Sequence, residues 1–377
     1  MQDFDVVIVG GAVSGSKVAQ LCANARLKVA VLEEHPIAGK YGRCTAIISK
    51  RGLDSIDADY SSSSLNRIFG ADIDAAGAKL SVETSRVQAL VLDRFAFDAA
   101  CANSAKKAGA KFFFNTRFES FSVQKKGSGE CYEITARSLL AKKTRKFRCK
   151  VLVGADGANS AVAKAACFPA LSKKDYAFCY EAEYCKATVP NLRRVQVFLD
   201  AKGLSGFFGW SVPVSKSVIR IGLGTTRRHT LLESKKAFFL RPEIKSMLSP
   251  DSKMVREFYA MIPIRPRKRT QLGSILLVGD SAGQVKASTG GGVVFSCRCA
   301  NVAAGEIVSF LQHGVPMEYE RKWKRQYGRT LVAHRKIRSF LDVLGNRRMA
   351  FLLSFGKILG LGVFLERFGD MDDIISA

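Results

Sequence analysis

Small and acidic residues near the N-terminus have the types and spacing that bind a dinucleotide. The apolar segment VVIV at residues 6–9 precedes a turn that contains Gly10, Ala12, Ser14 and Gly15, and a second apolar segment ends at Glu33. Glycines allow a tight turn and close helix packing, free N–H groups at a helix N-terminus bind phosphates, and the acidic residue accepts a hydrogen bond from a ribose hydroxyl. We therefore predict a dinucleotide site here; the alternative is an ordinary β-α turn without a ligand.

Two more glycine–aspartate motifs follow apolar segments farther along the chain. They are GADGANS at residues 154–160, which contains Asp156, and GDSAG at residues 279–283, which contains Asp280. An aspartate after a buried strand can accept hydrogen bonds from sugar or sugar-alcohol hydroxyls, and the glycine run before Val293 begins a helix whose N-terminus stabilises negative charge. The alternatives are an Asx turn for Asp156 and a helix N-cap for Asp280.

The elements that must position these motifs are spread over the chain in an interrupted order. The patterns predict an α/β fold with a discontinuous Rossmann-like domain. Its three segments are residues 1–58, 91–168 and 268–312. Residues 59–90 and 169–267 form an inserted substrate lobe with an antiparallel sheet, because apolar and polar residues alternate there, and residues 313–377 form a helical C-terminal region. This order argues against a simple two-domain dehydrogenase, whose nucleotide domain is usually contiguous.

Composition bounds the class of protein. With 377 residues, 47% of them hydrophobic, the chain is long enough for two or three lobes. The ten cysteines include no CxxC pair and the four histidines are widely spread, so we predict reduced cysteines and no metal site. The start of the chain is typical of a strand rather than a signal peptide, which predicts a cytoplasmic protein.

The formal net charge of +26 predicts a polyanionic partner, with an organism-wide compositional bias as the alternative. Residues 321–348 contain ten lysines and arginines and one acidic residue, and residues 349–365 are nearly all apolar. A basic helix leading into an apolar one is typical of a protein on an anionic membrane surface; the alternative is a core helix that closes the C-terminal lobe. The sequence contains no nucleic-acid-binding motif, so we expect no nucleic-acid partner.

The three glycine motifs, in this order, resemble those of FAD-dependent oxidoreductases of the para-hydroxybenzoate hydroxylase type. That resemblance implies FAD as the cofactor, with the first motif at the ADP pyrophosphate, Asp156 near the same end and Asp280 on the flavin ribityl chain. It also implies that Arg94 approaches the flavin; the alternative is a surface arginine at a helix start. The cofactor-binding residues that it implies are Gly10, Ala12, Ser14, Gly15, Glu33, Cys44, Thr45, Ile47, Arg94, Phe118, Asp280, Gly292 and Val293.

Two further segments resemble the geranylgeranyl reductase family within that superfamily. Residues 42–49, GRCTAIIS, are similar to the Arg-Cys segment that passes the flavin, and residues 207–213, FFGWSVP, to the aromatic element of the substrate lobe. The resemblance implies Cys44 as a proton donor or gate, and it implies substrate contacts by Phe208, Trp210 and Pro213. Ordinary packing is the alternative for Cys44 and for the aromatic residues. The chain departs from the family pattern at Ala12, Thr45, Ala46 and Val212.

This second resemblance implies reduction of C=C bonds in geranylgeranyl chains of membrane-lipid precursors, by hydride transfer from the N5 atom of reduced flavin. An isolated alkene offers no polar group, so catalysis depends on positioning and on the exclusion of water. The implied partners are a long-chain isoprenoid lipid, the membrane surface, and NAD(P)H or a small redox protein as electron donor. The alternatives are a flavin monooxygenase of an aromatic or isoprenoid compound, and a flavoprotein that carries electrons or lipid without turnover.

Overall fold

The computed structural model describes residues 1–40, 42–126, 129–358 and 372. Within them, the strands are β1 (Gln2–Asp3), β2 (Val6–Val9), β3 (Val29–Leu32), β4 (Ile47–Ser49), β5 (Ser64–Ile68), β6 (Gly70–Ala75), β7 (Ala78–Glu83), β8 (Ala89–Leu92), β9 (Lys111–Phe113), β10 (Thr116–Lys126), β11 (Gly129–Ser138), β12 (Thr144–Cys149), β13 (Val151–Gly154), β14 (Tyr176–Cys185), β15 (Arg194–Leu199), β16 (Gly209–Ser215), β17 (Val218–Thr225), β18 (Lys253–Pro263), β19 (Gln271–Leu272) and β20 (Ile275–Leu277). The α-helices are α1 (Val13–Asn24), α2 (Lys50–Asp54), α3 (Arg94–Lys107), α4 (Ala161–Ala165), α5 (Leu231–Phe239), α6 (Pro242–Lys245), α7 (Val293–His313), α8 (Tyr319–Trp323), α9 (Arg329–Val343) and α10 (Asn346–Ile358).

A six-stranded sheet with the order β19-β20-β13-β2-β3-β9 forms the centre of the nucleotide-binding part. All of its pairs are parallel except the edge pair of β19 and β20. Its strands come from residues 1–58, 91–168 and 268–312, the three segments that the sequence assigns to one discontinuous domain. This is the α/β architecture predicted from the sequence.

The central strand β2 is apolar at every position because both of its faces are buried. Successive side chains of a strand point to opposite faces. Val6 and Ile8 accordingly pack with residues of α1 and α7, while Val7 and Val9 pack with residues of the sheet β1-β12-β11-β10 on the other side. A strand covered on both faces reads as a continuous hydrophobic run, as residues 6–9 do.

The inserted lobe is built on a seven-stranded sheet with the order β18-β14-β17-β16-β15-β6-β7. The predicted antiparallel pattern holds except between β15 and β6, which are parallel. That exception arises because the β6–β7 hairpin comes from residues 59–90 and joins the sheet at its edge, separately from residues 169–267. A three-stranded sheet, β4-β8-β5, lies between this lobe and the nucleotide-binding part.

The C-terminal region is helical over the described residues, with α8, a short π-helical turn, α9 and α10 in succession. The apolar segment at residues 349–365 is described only to Ile358, and residues 359–365 lie outside the described part. Among the described residues, one helix, α7, is long and apolar enough to cross a membrane, and 56% of its apolar window is buried inside the protein.

Candidate functional site

The first glycine turn brings the start of α1 close to the ends of β2 and β13. Gly10 has a φ of +100°, and a Cβ atom there would lie 2.3 Å from the carbonyl oxygen of Ala155. A Cβ atom on Gly15 would lie 1.9 Å from the carbonyl oxygen of Gly10. Both positions therefore require glycine, one for its backbone conformation and both for the space.

Two helices begin at the same cavity, and neither has a side-chain cap. Ala12 is the N-cap of α1 and Gly292 that of α7, and neither position supplies a capping hydrogen bond. The first N–H groups of a helix have no partner within the helix, so each start can bind an anionic or electron-rich group of a ligand. Ala12, where the chain departs from the family pattern, leaves these N–H groups available to a ligand, because alanine has no polar side chain that could bind them.

Glu33 follows directly after β3 and holds the glycine turn in place. Its Oε2 atom accepts a hydrogen bond from the backbone N–H of Gly11 at 2.7 Å, and Oε1 accepts one from the backbone N–H of His35 at 2.9 Å. The Nδ1 atom of His35 lies 2.7 Å from the same Oε1. A carboxylate offers about four acceptor sites, so Glu33 keeps capacity for a ribose hydroxyl while it positions the turn.

The two aspartates of the later motifs face the cavity with acceptor capacity unused. Oδ2 of Asp156 accepts the backbone N–H of Val162 at 3.0 Å, and its buried Oδ1 has no hydrogen-bond partner among the described residues. Burial raises the pKa of Asp156. Burial also raises the pKa of Asp280, although the charge of Arg94 opposes this. Buried acceptors are normally satisfied, so this arrangement indicates a polar ligand with hydroxyl or N–H donors.

These elements surround a cavity of about 770 Å³. Its lining includes the following cofactor-binding residues predicted from the sequence: Gly10, Ala12, Ser14, Glu33, Cys44, Thr45, Ile47, Arg94, Phe118, Asp280, Gly292 and Val293. Gly15 lies behind the lining and acts through the close packing of α1. Of the predicted substrate contacts, Phe208 and Trp210 line the cavity, whereas Pro213 does not. The carbonyl of Pro213 instead accepts a hydrogen bond from Asn66 at 2.9 Å.

Arg94 is a cavity residue rather than a surface arginine. It is the first residue of α3, which Asp93 caps, and its Nε donates to Oδ1 of Asp98 at 2.9 Å, with the Asp98 side chain almost fully buried. Burial disfavours its charge, but Asp98 and Cys44 together raise its pKa, so the guanidinium stays charged. Cys44 Sγ accepts the backbone N–H of Ala46 at 3.3 Å. The thiol also lies close enough to Arg94 to interact with its positive charge.

The other end of the cavity has apolar, largely aromatic walls from the seven-stranded sheet. The rings of Phe207 and Phe208 are stacked with centroids 4.5 Å apart, and Trp210 meets Phe208 edge-on at 5.6 Å. Further apolar lining at this end comes from Cys179, Val195, Val197, Leu199, Val212, Phe258, Ala260, Ile262 and Leu341. One continuous cavity thus joins polar, phosphate-type features at one end to flat hydrophobic surfaces at the other.

Three buried charged residues near the cavity were not predicted from the sequence. Glu181 accepts the indole N–H of Trp210 at 2.9 Å, and Arg220 binds Glu183 at 2.7 Å and the Thr45 carbonyl at 2.6 Å. Arg338 lies over the Phe207 ring, 4.7 Å from its centroid. A charged residue inside an otherwise apolar strand, as in YAFCYEAEYC of β14, is the signal that points to such positions.

Comparison with known families identifies the ligand that this cavity binds. Residues 3–312 match the FAD binding domain family. The chain belongs to this family. Its cofactor is FAD, which confirms the cofactor predicted from the glycine motifs, and it is an FAD-dependent oxidoreductase.

Individual relatives and solved structures show which FAD-dependent proteins the chain is similar to. The chain is 26% identical to digeranylgeranylglycerophospholipid reductase 2 of Methanothermobacter thermautotrophicus, with 93% of this chain and 91% of the relative covered. Its fold is similar to that of a geranylgeranyl bacteriochlorophyll reductase-like protein from Thermoplasma acidophilum, with a TM-score of 0.85, 20% identity, and 100% and 98% of the two chains covered. The predicted resemblance to geranylgeranyl reductases is thereby confirmed. The myxobacterial chondrochloren halogenase shares the fold with a TM-score of 0.72, 16% identity and 99% and 92% coverage.

The described residues fit FAD in this FAD-dependent protein. The start of α1 and Glu33 suit the pyrophosphate and the ribose, and the unsatisfied Oδ1 of Asp156 suits a hydroxyl donor nearby. Asp280 lies beside Gly292, where a Cβ atom would come within 3.1 Å of its Oδ1. The assignment of each of these residues to a particular atom of FAD stays a prediction.

We expect Asp280→Ala to weaken FAD binding by about tenfold or more, because a hydrogen bond to a charged group is worth about 1.5–3 kcal/mol. Glu33→Ala has a smaller effect, because the Gly11 and His35 bonds that it removes support the turn indirectly. The measurement is the flavin-to-protein absorbance ratio after purification, followed by titration of the apoprotein with FAD. Asp251→Ala, at an exposed carboxylate, is the control. Wild-type flavin occupancy in Asp280→Ala would contradict this placement.

Proposed function

We propose that this protein reduces the C=C bonds of geranylgeranyl chains carried by membrane-lipid precursors. The observation that supports this most strongly is the shape of the cavity, in which the FAD-type motifs open directly onto the aromatic walls formed by Phe207, Phe208 and Trp210. Relatives named digeranylgeranylglycerophospholipid reductase support the same substrate class. When bound, FAD in its reduced form supplies the hydride at N5.

The protein's own residues position the chain and keep water away. An isoprenoid alkene has no group that can accept a strong hydrogen bond, so orientation depends on contact area with flat apolar side chains. Phe208 and Trp210 provide such surfaces, and Trp210 is held in orientation by its bond to Glu181. Cys44 lies at the cavity beside Arg94, and a role for its thiol as proton donor or gate stays a prediction.

The proposal is tested with FAD-loaded protein that is reduced anaerobically with dithionite and mixed with a geranylgeranylated glycerophospholipid. We expect mass spectrometry to show a gain of two hydrogen atoms for each reduced bond, without oxygen. Oxygen consumption with hydroxylated product would indicate the monooxygenase instead, and bound flavin with unchanged lipid would indicate a carrier. Protein freed of FAD is the control. A parallel anaerobic stopped-flow experiment with NADPH, NADH and a reduced ferredoxin tests the proposed classes of electron donor.

We further propose that the protein lies on the cytoplasmic surface of an anionic membrane. Its docking surface, called here the basic–apolar face, consists of exposed side chains of α9 and α10: Arg329, Val332, Lys336, Phe340, Val343, Arg347, Arg348, Phe351, Leu352 and Phe355. Positions 332, 336 and 340 recur at four-residue spacing and therefore share one side of α9. Met349 of α10 is buried where this helix packs against β6 and β7, so α10 is attached to the protein on the side away from the basic–apolar face.

The basic–apolar face combines the two contributions that bind peripheral helices to membranes. Phe351 and Phe355 are stacked 5.9 Å apart and are 66% and 48% exposed. Apolar side chains enter the headgroup boundary, and basic residues are attracted to anionic lipids. The core-helix alternative does not account for these exposed rings. A position on the membrane also places the cavity close to a substrate that is itself a lipid.

We expect the protein to sediment with phosphatidylglycerol vesicles and not with phosphatidylcholine vesicles at low salt. The double variant Phe351→Ser/Phe355→Ser weakens binding by at least about tenfold, because each buried phenylalanine contributes about 1.5–3 kcal/mol. Leu140→Ser is the matched control, because Leu140 is an exposed apolar residue, 78% accessible, in the connection between β11 and β12. Equal sedimentation of the double variant and wild type would contradict this docking surface.

A further inference from the structure

A buried carboxyl group stands next to the substrate end of the cavity without lining it. Glu181 on β14 is 1% exposed. Its Oε2 atom accepts hydrogen bonds from the Trp210 indole, at 2.9 Å, and from the Thr45 hydroxyl. Its Oε1 atom is buried and has no hydrogen-bond partner among the described residues. Both donors belong to residues that line the cavity, so Glu181 lies one side chain away from the cavity.

The surroundings of Glu181 favour its neutral form. An ionised carboxylate with one unsatisfied buried oxygen is costly, whereas a protonated carboxyl carries no charge to solvate. The charged or titratable groups that face it are Arg256 on β18, 4.0 Å from Oε1, Arg220 on β17 and Cys179 on the same strand. Arg220 and Arg256 are each bound to Glu183, which reduces their effect on Glu181. The pKa of Glu181 is raised, because the effect of burial is larger than the opposing effects of the two hydrogen bonds and the two arginine charges.

Thr45 connects this carboxyl to the cavity. Its hydroxyl is bound to Glu181, and its carbonyl accepts the Arg220 guanidinium at 2.6 Å, so the residue is fixed from both sides. A hydroxyl can accept one proton while it donates another. When Oε2 carries the proton of the neutral carboxyl, this hydrogen bond runs the other way, so that Glu181 donates to the Thr45 oxygen and the Thr45 hydroxyl donates into the cavity. Thr45 is therefore suited to pass a proton from Glu181 to a group in the cavity.

We propose that Glu181, acting through the Thr45 hydroxyl, is the source of the proton that the alkene receives during reduction. This inference rests on the proposed function. As a hydride from the reduced flavin forms one new C–H bond, the second alkene carbon takes the proton of the Thr45 hydroxyl. Thr45 is reprotonated by Glu181, which becomes a carboxylate and regains a proton from solvent after product release. The flavin thus supplies a hydride, which carries both electrons, Glu181 supplies one proton, and the alkene gains two hydrogen atoms.

The test compares Glu181→Gln, which keeps the shape and the acceptor oxygen, with wild type in anaerobic single-turnover reactions of the reduced protein and geranylgeranyl lipid. We expect flavin reoxidation to slow about a hundredfold in the variant, in the range of general acid catalysis, with little change in KM. The wild-type rate falls as pH rises, because Glu181 must be protonated, and this limb is absent from the variant. Glu257→Gln is the matched control, because Glu257 is an exposed carboxylate on the neighbouring strand that binds the Tyr180 hydroxyl.

A second measurement does not depend on turnover. Infrared spectra of FAD-loaded wild type contain the C=O band of a protonated carboxyl that shifts in D2O, and this band is missing from Glu181→Gln and present in Glu257→Gln. We expect Thr45→Val to slow flavin reoxidation as Glu181→Gln does. Thr45→Ser keeps the hydroxyl and is expected to recover most of the rate. These two Thr45 variants test the proposal if Glu181→Gln does not fold.

The outcomes separate the two proposals. If the wild type reduces the lipid and flavin reoxidation in Glu181→Gln is as fast as in wild type, the role of Glu181 is overturned while the proposed function stands. The absence of the carboxyl band from the wild-type spectrum has the same consequence. A large loss in Cys44→Ser with no loss in Glu181→Gln assigns the proton to Cys44 instead. FAD-loaded wild type that leaves the lipid unchanged defeats the proposed function, and the role of Glu181 with it.

Discussion

Replacing Arg220 by methionine is expected to lower the free energy of unfolding by about 3 kcal/mol or more. Arg220 is 4% exposed and makes three contacts through its guanidinium: Glu183 at 2.7 Å, the Thr45 carbonyl at 2.6 Å and the Leu92 carbonyl at 3.1 Å. Methionine fills a similar volume but donates no hydrogen bond. It removes one donor from the Glu183 carboxylate, which keeps Arg256 at 3.5 Å, and one from each of the two carbonyl oxygens, and lost hydrogen bonds are costly at buried groups.

Because of the position of Arg220, the loss of its hydrogen bonds is expected to affect activity as well as stability. Arg220 lies on β17 of the inserted lobe, while Thr45 lines the cavity and Leu92 ends β8 of the three-stranded sheet. The guanidinium therefore joins the wall that carries Trp210 to the segment that carries Cys44. We expect the lipid-reducing rate of Arg220→Met to fall at temperatures where the variant is still folded.

Denaturant unfolding and single-turnover kinetics measure the two effects of Arg220→Met. The control is Arg256→Met, because Arg256 also pairs with Glu183, at 3.5 Å, but its side chain is 38% exposed. Exposed ion pairs contribute about 0–1 kcal/mol, so this variant is expected to stay close to wild type. Equal stability of the two variants would show that the buried contacts of Arg220 do not hold the lobes together.

Gly15→Ala is expected to abolish FAD binding and to destabilise the protein by about 3 kcal/mol, the upper part of the range for overpacked sites. The added Cβ atom would lie 1.9 Å from the carbonyl oxygen of Gly10, and also 3.2 Å from the Cβ of Ala155. The Gly10 carbonyl oxygen is a backbone atom, so it cannot rotate away as the end of a flexible side chain can. The start of α1 must move off β2, and the N–H groups that are predicted to bind the pyrophosphate move with it.

A helical glycine with open space provides the matched control for Gly15→Ala. Gly305 lies in α7, and a Cβ atom there would meet no atom within 4 Å. Gly305→Ala is expected to stabilise the protein slightly, by up to about 1 kcal/mol, because alanine is the better helix former. Flavin absorbance of the purified variants and their denaturation midpoints provide the comparison. Normal flavin content in Gly15→Ala would refute the steric argument.

Features that depend on neighbouring residues were predictable from the sequence. The turn at Gly10, the helix that follows and the burial of β2 depend on backbone conformation and on hydrophobic periodicity within a few residues. The same holds for the start of α7, which begins at Val293 as predicted from the glycine run before it. Three such motifs in order carried the resemblance that implies FAD, and the order of the predicted elements along the chain indicated the discontinuous domain.

Contacts between distant segments were not predictable in this way. The Pro213 side chain was predicted to contact substrate because it belongs to a local motif with Trp210, yet β16 presents Trp210 to the cavity and not Pro213. The bond from Thr45 to Glu181 joins residues 136 positions apart, and that from Arg220 to the Thr45 carbonyl spans 175 positions.

The amino-acid sequence by itself determined the α/β class, because short-range sterics and periodicity encode it locally, and the resemblance of its motifs to known families implied the cofactor and the family. Only the tertiary structure decided which polar groups are buried together beside the substrate walls. The physical reason is that burial and the pairing of charges arise when separate strands pack, so the chemistry of Glu181, Thr45 and Arg220 exists only in the folded chain.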